Sequence, residues 1–284
     1  MRIFLRFALL LFAAAGLACG AGAPRQAAAQ VNVGVSITVP PPVLPVYSQP
    51  VIPGPGYIWA PGYWAWGPYG YYWVPGTWVL PPAVGLLWTP GYWAWNDGVY
   101  FWHAGYWGPR VGFYGGIVYG YGYDGIGYHG GFWQGGHFHY NTVVNNIGSV
   151  HVAYVYRRTV VNNVNITRVS FNGGHGGIAA RPTAQQQAFA TEHHVGETPV
   201  QRQHDDAARG REDLRSSFNH GRPPIAATPR ATAFTGRGVT GPGAAGPAPH
   251  AAPSRNAAPN TNNGPPRNMP VHNAAPNTNN GPPR

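Results

Sequence analysis

The sequence predicts a mainly β fold: a short-stranded antiparallel meander of Trp/Tyr-rich repeats, followed by one or two short helices and a disordered C-terminal tail. Three observations predict it. The hexapeptide W-x-[P/A]-G-x-W occurs four times between Tyr57 and Trp107, with starts 14, 15 and 14 residues apart, and a fixed period marks one supersecondary unit used repeatedly. Gly 41 and Pro 31 together make a quarter of the 284 residues, which favours turns over long elements. Charged residues are 9% and aromatics 14%, against about 25% charged in an ordinary globular chain. Between Gln30 and Val155 the only charges are Asp97, Arg110 and Asp124.

The first segment, residues 1–29, reads as a secretory signal peptide. Arg2 and Arg6 supply a positive start, Phe7 to Leu17 an apolar core, and Ala27-Ala28-Ala29 a small-residue cleavage site before Gln30. That core is too short to span a bilayer. The expectation is an exported protein, periplasmic, outer-membrane-associated or extracellular. Cys19 is the single cysteine, which excludes an internal disulfide. It stands where a lipoprotein cysteine would, but Gly16-Leu17-Ala18 is a poor lipobox. Removal with the leader is therefore the simpler reading, and lipidation of Cys19 the alternative. All 18 basic residues are arginine, and losing the three in the leader lowers the net charge from +10 to +7. Most of the surplus falls after Arg157 in polar sequence, a solvated tail with no nucleic-acid partner expected.

Residues 30–56 are rich in Val and Pro and read as an extended lead-in with polyproline character. Residues 57–138 form the aromatic repeat region. Its motif aromatics are Trp59, Trp64, Trp73, Trp78, Trp88, Trp93, Trp102 and Trp107, and its motif glycines Gly62, Gly76, Gly91 and Gly105. If each x-P-G-x core is a tight loop, the two Trp of one copy face each other: Trp59 with Trp64, Trp73 with Trp78, Trp88 with Trp93, Trp102 with Trp107. Tyr57 then faces Trp66. Pro-Gly favours unprimed turns, which suit two-residue hairpins poorly, so either a four-residue loop or a strand bulge is needed there. The links Gly67-Pro68-Tyr69-Gly70, Pro81-Pro82 and Asn96-Asp97-Gly98 also read as turns, the last being the strongest hairpin signal. Degenerate echoes follow at Tyr128–Trp133 and Trp133–Phe138.

Residues 139–172 alternate β-branched residues with Asn, a strand signal clearest over residues 159–171. Residues 173–221 are polar and partly helical. The clearer of two short helices starts at Thr198-Pro199 and stops at Gly221, with Val200, Ala207, Leu214 and Phe218 as a thin apolar stripe. Residues 222–284 are Pro/Ala/Gly/Asn-rich, and Asn256–Arg267 recurs verbatim at Asn273–Arg284. Such sequence buries too little apolar area to offset its ordering entropy, so it reads as disordered.

The four tandem copies Trp59–Trp64, Trp73–Trp78, Trp88–Trp93 and Trp102–Trp107 resemble the YXWGXW (WXXGXW) repeat proteins of Gram-negative bacteria. Ser170–Ile178, Ala180–Thr183 and Asn219-His220-Gly221 are similar to segments of the longer members, so the resemblance runs from about Tyr57 to Arg230. It implies export, in some members as a lipoprotein, and an envelope role. It implies no catalytic residues.

Candidate chemistry is sparse. No acid–base pair, G-x-S-x-G or phosphate loop occurs in the repeats, and Asp97 and Asp124, each followed by glycine, read as turn residues. The reading is of a non-enzymatic structural or interaction protein without cofactor. His129, His137, His139 and His151 are weak metal candidates, because imidazoles suit zinc or copper but a zinc site needs three or four ligands. His193-His194 with Glu192 and Glu197 reads as a solvated polar stretch. Exposed Trp and Tyr rings would make a glycan- or cell-wall-binding module the alternative function, with envelope polysaccharide, peptidoglycan or other envelope proteins as partners. The simpler view makes the same rings a core. Membrane contact is expected only through lipidation or peripheral attachment.

Overall fold

The computed structural model describes residues 37–159 and 168–243. Four strands, β1 (Ile58–Ala60), β2 (Tyr63–Gly67), β3 (Gly70–Val74) and β4 (Gly76–Val79), make the first repeat unit. The second contains β5 (Leu87–Thr89), β6 (Tyr92–Asn96), β7 (Val99–His103) and β8 (Tyr106–Gly108). In each unit the inner strands pair with each other, β2 with β3 and β6 with β7, and the outer strands pair around them, β1 with β4 and β5 with β8.

The tryptophan pairing expected from the motif is therefore corrected. Trp59 faces Trp78 and Trp64 faces Trp73; Trp88 faces Trp107 and Trp93 faces Trp102. Trp66 faces Tyr71 instead of Tyr57. Two copies of the hexapeptide thus make one long hairpin, closed at the links between copies. The first link turns at Pro68-Tyr69. The second turns at Asp97 and Gly98, whose φ values of 48° and 89° are the two positive angles a type I′ turn requires. Neither a four-residue loop nor a bulge stands at Pro-Gly: the register of Ala60 with Thr77 resumes unshifted at Tyr63 with Val74, so Pro61-Gly62 lies opposite Pro75-Gly76. Proline lacks the N–H a ladder needs, and pairing lapses there for two residues on each side. The Pro81-Pro82 turn lies slightly later, with Gly85 at φ 93°.

The motif glycines serve close approach. A Cβ on Gly62 would stand 2.4 Å from the Trp73 ring and one on Gly76 2.6 Å from Trp59. In the second unit, Gly91 and Gly105 would meet Trp102 and Trp88 at 2.4 Å each. Each first-position tryptophan lies over the glycine of the other copy in its hairpin. Real Cβ atoms do not approach so closely, so only glycine admits the ring.

Beyond the units, β9 (Val118–Gly120) and β10 (Tyr123–Asp124) form a small ribbon, and β11 (Gly131–Gln134) pairs with β12 (His137–Asn141). Here the echo Trp133–Phe138 does close on itself: Trp133 faces Phe138 across Gly135-Gly136, at φ 57° and 79°. The remaining strands are short: β13 (Val155–Tyr156) runs parallel to β12, and β14 (Phe171–Asn172) parallel to β6. The strand expected over residues 159–171 falls largely on residues 160–167, outside the described residues.

Seven of the eight motif tryptophans are buried, and Trp102 is half-buried. The two units meet through the Trp93 indole, which donates to the Trp64 carbonyl at 2.7 Å. The Tyr123 hydroxyl lies 3.2 Å from the Trp59 carbonyl and 2.9 Å from that of Trp88, equivalent positions in the two units. Complete burial holds this phenol well above its ordinary pKa, fixing it as a donor. The lead-in packs along the units as irregular chain, burying Leu44, Tyr47 and Ile52 and accepting from Trp64 at Val43 and from Trp78 at Pro50.

Among the described residues three α-helices follow: α1 (Ala184–Phe189), α2 (Pro199–Arg209) and α3 (Ser216–Asn219). The expected start at Thr198-Pro199 is present, but α2 ends at Arg209 against Gly210, well before Gly221. Gly221 instead follows α3. Of the expected apolar stripe, Leu214 is buried and Ala207 packs against the core, but Val200 and Phe218 are exposed, and Gln201, His204 and Ala208 are buried in their stead. The tail boundary moves as well. Residues 222–243, read as disordered, contain β15 (Ala227–Thr228), which pairs parallel with β4, and bury Ile225, Ala226 and Phe234. The rest of that segment, 244–284, lies outside the described residues.

Candidate functional site: two equivalent seats on the repeat units

A shift of 29 residues carries the first unit onto the second, Trp59 onto Trp88 and Trp73 onto Trp102. It also carries one surface depression onto another. The first is lined by Ala60, Pro61, Tyr63, Val74, Pro75 and Thr77, and the second by Thr89, Pro90, Tyr92, His103, Ala104 and Tyr106. These are the motif's own variable positions, gathered where Pro-Gly interrupts the ladder. We call each depression a seat.

Each seat is roofed by a helix with the same start. Thr183 and Thr198 both form capping boxes with the glutamine three residues on, Gln186 and Gln201. A shift of 15 residues aligns Pro182 with Glu197, Gln186 with Gln201 and Phe189 with His204. The helices differ in what the last pair does.

In the first seat, His204 fills the space. Its Nε2 lies 2.9 Å from the Pro75 carbonyl, and its Nδ1 accepts from the Thr232 backbone N–H at 2.9 Å. The two partners together specify the neutral tautomer with hydrogen on Nε2. Burial lowers its pKa to about 4, opposed in part by the Pro75 carbonyl. Phe234 stacks on its outer face at 5.1 Å and 18°. Beside it, burial and then Asp205 raise the Glu197 pKa to about 7. Asp205 itself accepts from the Tyr72 hydroxyl at 2.7 Å, and Arg209 joins both. A residual space of about 20 Å³ remains in this seat.

In the second seat, Phe189 turns away beneath the Arg110 guanidinium, 5.1 Å from its ring centre. What remains is a cleft of about 320 Å³. Tyr92 and His103 stack as one wall, 4.5 Å apart and 7° from parallel, with Phe113 edge-on to Tyr92 at 5.5 Å. Gln186 is the buried residue of α1, and its Oε1 accepts from the Thr183 backbone N–H at 2.9 Å to cap the helix. None of the lining residues is ionised by type apart from the imidazole.

The sequence-nominated histidines go elsewhere. His129 Nε2 meets the buried Asp124 carboxylate at 2.9 Å, so Asp124 does more than turn the chain. His137 stacks on Tyr154 at 4.3 Å, and His139 on Phe132 at 5.1 Å. His151 is exposed. Among the described residues no three His, Cys, Asp or Glu side chains converge on one point. In the His193-His194 stretch, His194 stacks on Tyr106 at 3.8 Å, and Glu192 pairs with Arg110. Cys19 lies outside the described residues. Sequence reasoning missed His204 and the cleft, although the shared T-x-x-Q helix starts were a legible signal.

The geometry defines a tandem aromatic β-repeat protein, with two hairpin units each made from two W-x-x-G-x-W motifs. The family model for the WXXGXW repeat matches the chain in two copies, residues 54–79 and 84–107. Those are the two hairpins, each one copy of the WXXGXW repeat. No curated protein and no solved structure matches it.

Proposed function

We propose that this chain is an exported, non-enzymatic cell-envelope protein whose repeat units form a scaffold for interaction with envelope polysaccharide, peptidoglycan or other envelope proteins. The burial of seven motif tryptophans carries this reading: the repeat's most distinctive residues are engaged in packing. The leader from Arg2 to Ala29 supports export. The repeats contain no acid–base or nucleophile set, which supports a non-catalytic role. No helix among the described residues is long and apolar enough to cross a membrane.

Fractionation with intact-mass analysis tests the proposal. A mature chain starting at Gln30 in the periplasmic or envelope fraction is expected. A diacylated chain starting at Cys19 would replace the free form with an anchored one. An unprocessed cytoplasmic protein would overturn export, and covalent labelling by hydrolase or glycosidase probes would overturn the non-enzymatic assignment.

A further inference from the structure

We propose that the open seat of the second unit is a binding site for a neutral saccharide ring. The inference deepens the interaction reading by naming a site and a ligand class. The first seat shows what this architecture accepts. There a planar ring lies against the Pro-Gly crossing and approaches the Pro75 carbonyl through an N–H, at 2.9 Å. The equivalent carbonyl in the second unit belongs to Ala104, which lines a cleft of about 320 Å³ in place of a packed side chain. That volume is at the lower end for small-molecule sites, about 300–1,000 Å³.

The lining selects the class. With no carboxylate, guanidinium or ammonium in the wall, a phosphate, carboxylate or metal ion would lose its hydration without a charged partner. The Tyr92–His103 stack and Phe113 supply ring surface, whose electron-rich faces attract the weakly positive C–H groups of a pyranose. Around them stand the neutral, hydrogen-bonding Gln186 and Gln187 side-chain amides, while the Tyr106 hydroxyl is held by Thr89. A ring bearing many hydroxyls meets such a set better than a hydrocarbon or a heterocycle with one or two polar atoms. The site also differs from the tryptophan ladder, seven of whose eight rings are buried.

Saturation-transfer difference NMR of the mature protein with glucose, galactose, N-acetylglucosamine and glucose 6-phosphate tests the site. At least one neutral sugar should receive saturation at its ring C–H protons, and the phosphate ester should bind at least tenfold more weakly than glucose. Ala190→Trp, at an exposed cleft position, should abolish the transfer by filling the space. Gln187→Ala, also exposed, should weaken it several-fold without touching the core. Absence of transfer to every neutral sugar would overturn the proposal. So would undiminished transfer in Gln187→Ala or in an Ala190→Trp protein with native near-ultraviolet dichroism. Envelope location is read separately by fractionation, so failure of either leaves the other standing.

Discussion

The first and second repeat units share a hairpin, a register and a capped helix above the Pro-Gly crossing, yet one seat is full and the other open. The first is closed by His204, with Phe234 stacked outside it and β15 alongside β4. At the corresponding helix position of the second unit, Phe189 turns outward beneath Arg110. The repeat builds the depression, and residues outside the repeat decide whether it is core or cleft. The tryptophans follow the same division. Trp73 is fully buried and donates to the Ala226 carbonyl at 3.0 Å, whereas its counterpart Trp102 is half-buried and stacks on Tyr63 at 5.0 Å.

The largest expected effect breaks that pair. Trp73→Ala should cost about 3–5 kcal/mol, as for other core tryptophans, and Trp102→Ala at least about 1 kcal/mol less. Urea midpoints of the two variants measure the difference; equal losses would show that the units are equally packed.

Next is the pH response of the closed seat. The His204 pKa falls from 6.5 to about 4 on folding. The unfolded chain therefore binds the extra proton first, and this contribution, on the order of 3 kcal/mol, is present above pH 6.5 and lost as pH falls toward 4. Glu197 acts in the opposite sense. Its pKa rises from 4.5 to about 7, so it favours folding at low pH and loses that contribution as pH rises from 4.5 through 7. Between those limits the two oppose each other. In His204→Gln the opposing His204 contribution is gone, while Glu197 and Asp205, both of raised pKa, continue to favour folding at low pH against His103, whose pKa burial lowers; stability should increase on balance as pH is lowered from 7 to 4.5. Urea midpoints across that range check the sign, and a variant that weakens on acidification would contradict it.

Glycine substitutions sharpen a second contrast, between the motif copies and the Trp133–Phe138 echo. Gly62→Ala and Gly91→Ala should each cost about 1–3 kcal/mol by forcing Trp73 and Trp102 off the glycine. Gly135 has open space around its missing Cβ but a φ of 57°. Gly135→Asn should therefore be nearly neutral because Asn tolerates the left-handed region, while Gly62→Asn should be as damaging as Gly62→Ala. Thermal melts of the four variants distinguish crowding from backbone conformation.

The smallest effect is at the helix caps. Thr183→Ala and Thr198→Ala should each cost about 1 kcal/mol through the lost side-chain acceptor. Far-ultraviolet melts would show it, and no change in either would mean that docking alone holds the helix.

Much of this was legible in the chain. The four hexapeptides announced the repeat, Asn96-Asp97-Gly98 its turn, and Thr198-Pro199 the start of α2. The Trp pairing was not, because Pro-Gly reads as a turn in isolation. Proline cannot adopt the positive φ that a two-residue type I′ loop needs at its first position. Where glycine replaces it, at Gly135, the chain turns and Trp133 meets Phe138. The packing of residues 222–243 was also illegible. Ala226 and Ala227 carry little apolar area of their own, and are ordered through the Trp73 indole, the Gly76 N–H and the edge of β4.

The sequence by itself determined a mainly β repeat protein, its period, its Asn-Asp-Gly turn and the start of α2, because periodicity, φ preference and capping act over a few residues. Tertiary structure alone decided that two hexapeptides share one hairpin, that each tryptophan lies over the other copy's glycine, and that one seat is filled while its twin is open. Those outcomes depend on contacts between residues distant in the chain: Trp59 with Gly76, Tyr123 with both units, His204 with Pro75. No local preference encodes such contacts, since each forms only when the whole aromatic core closes.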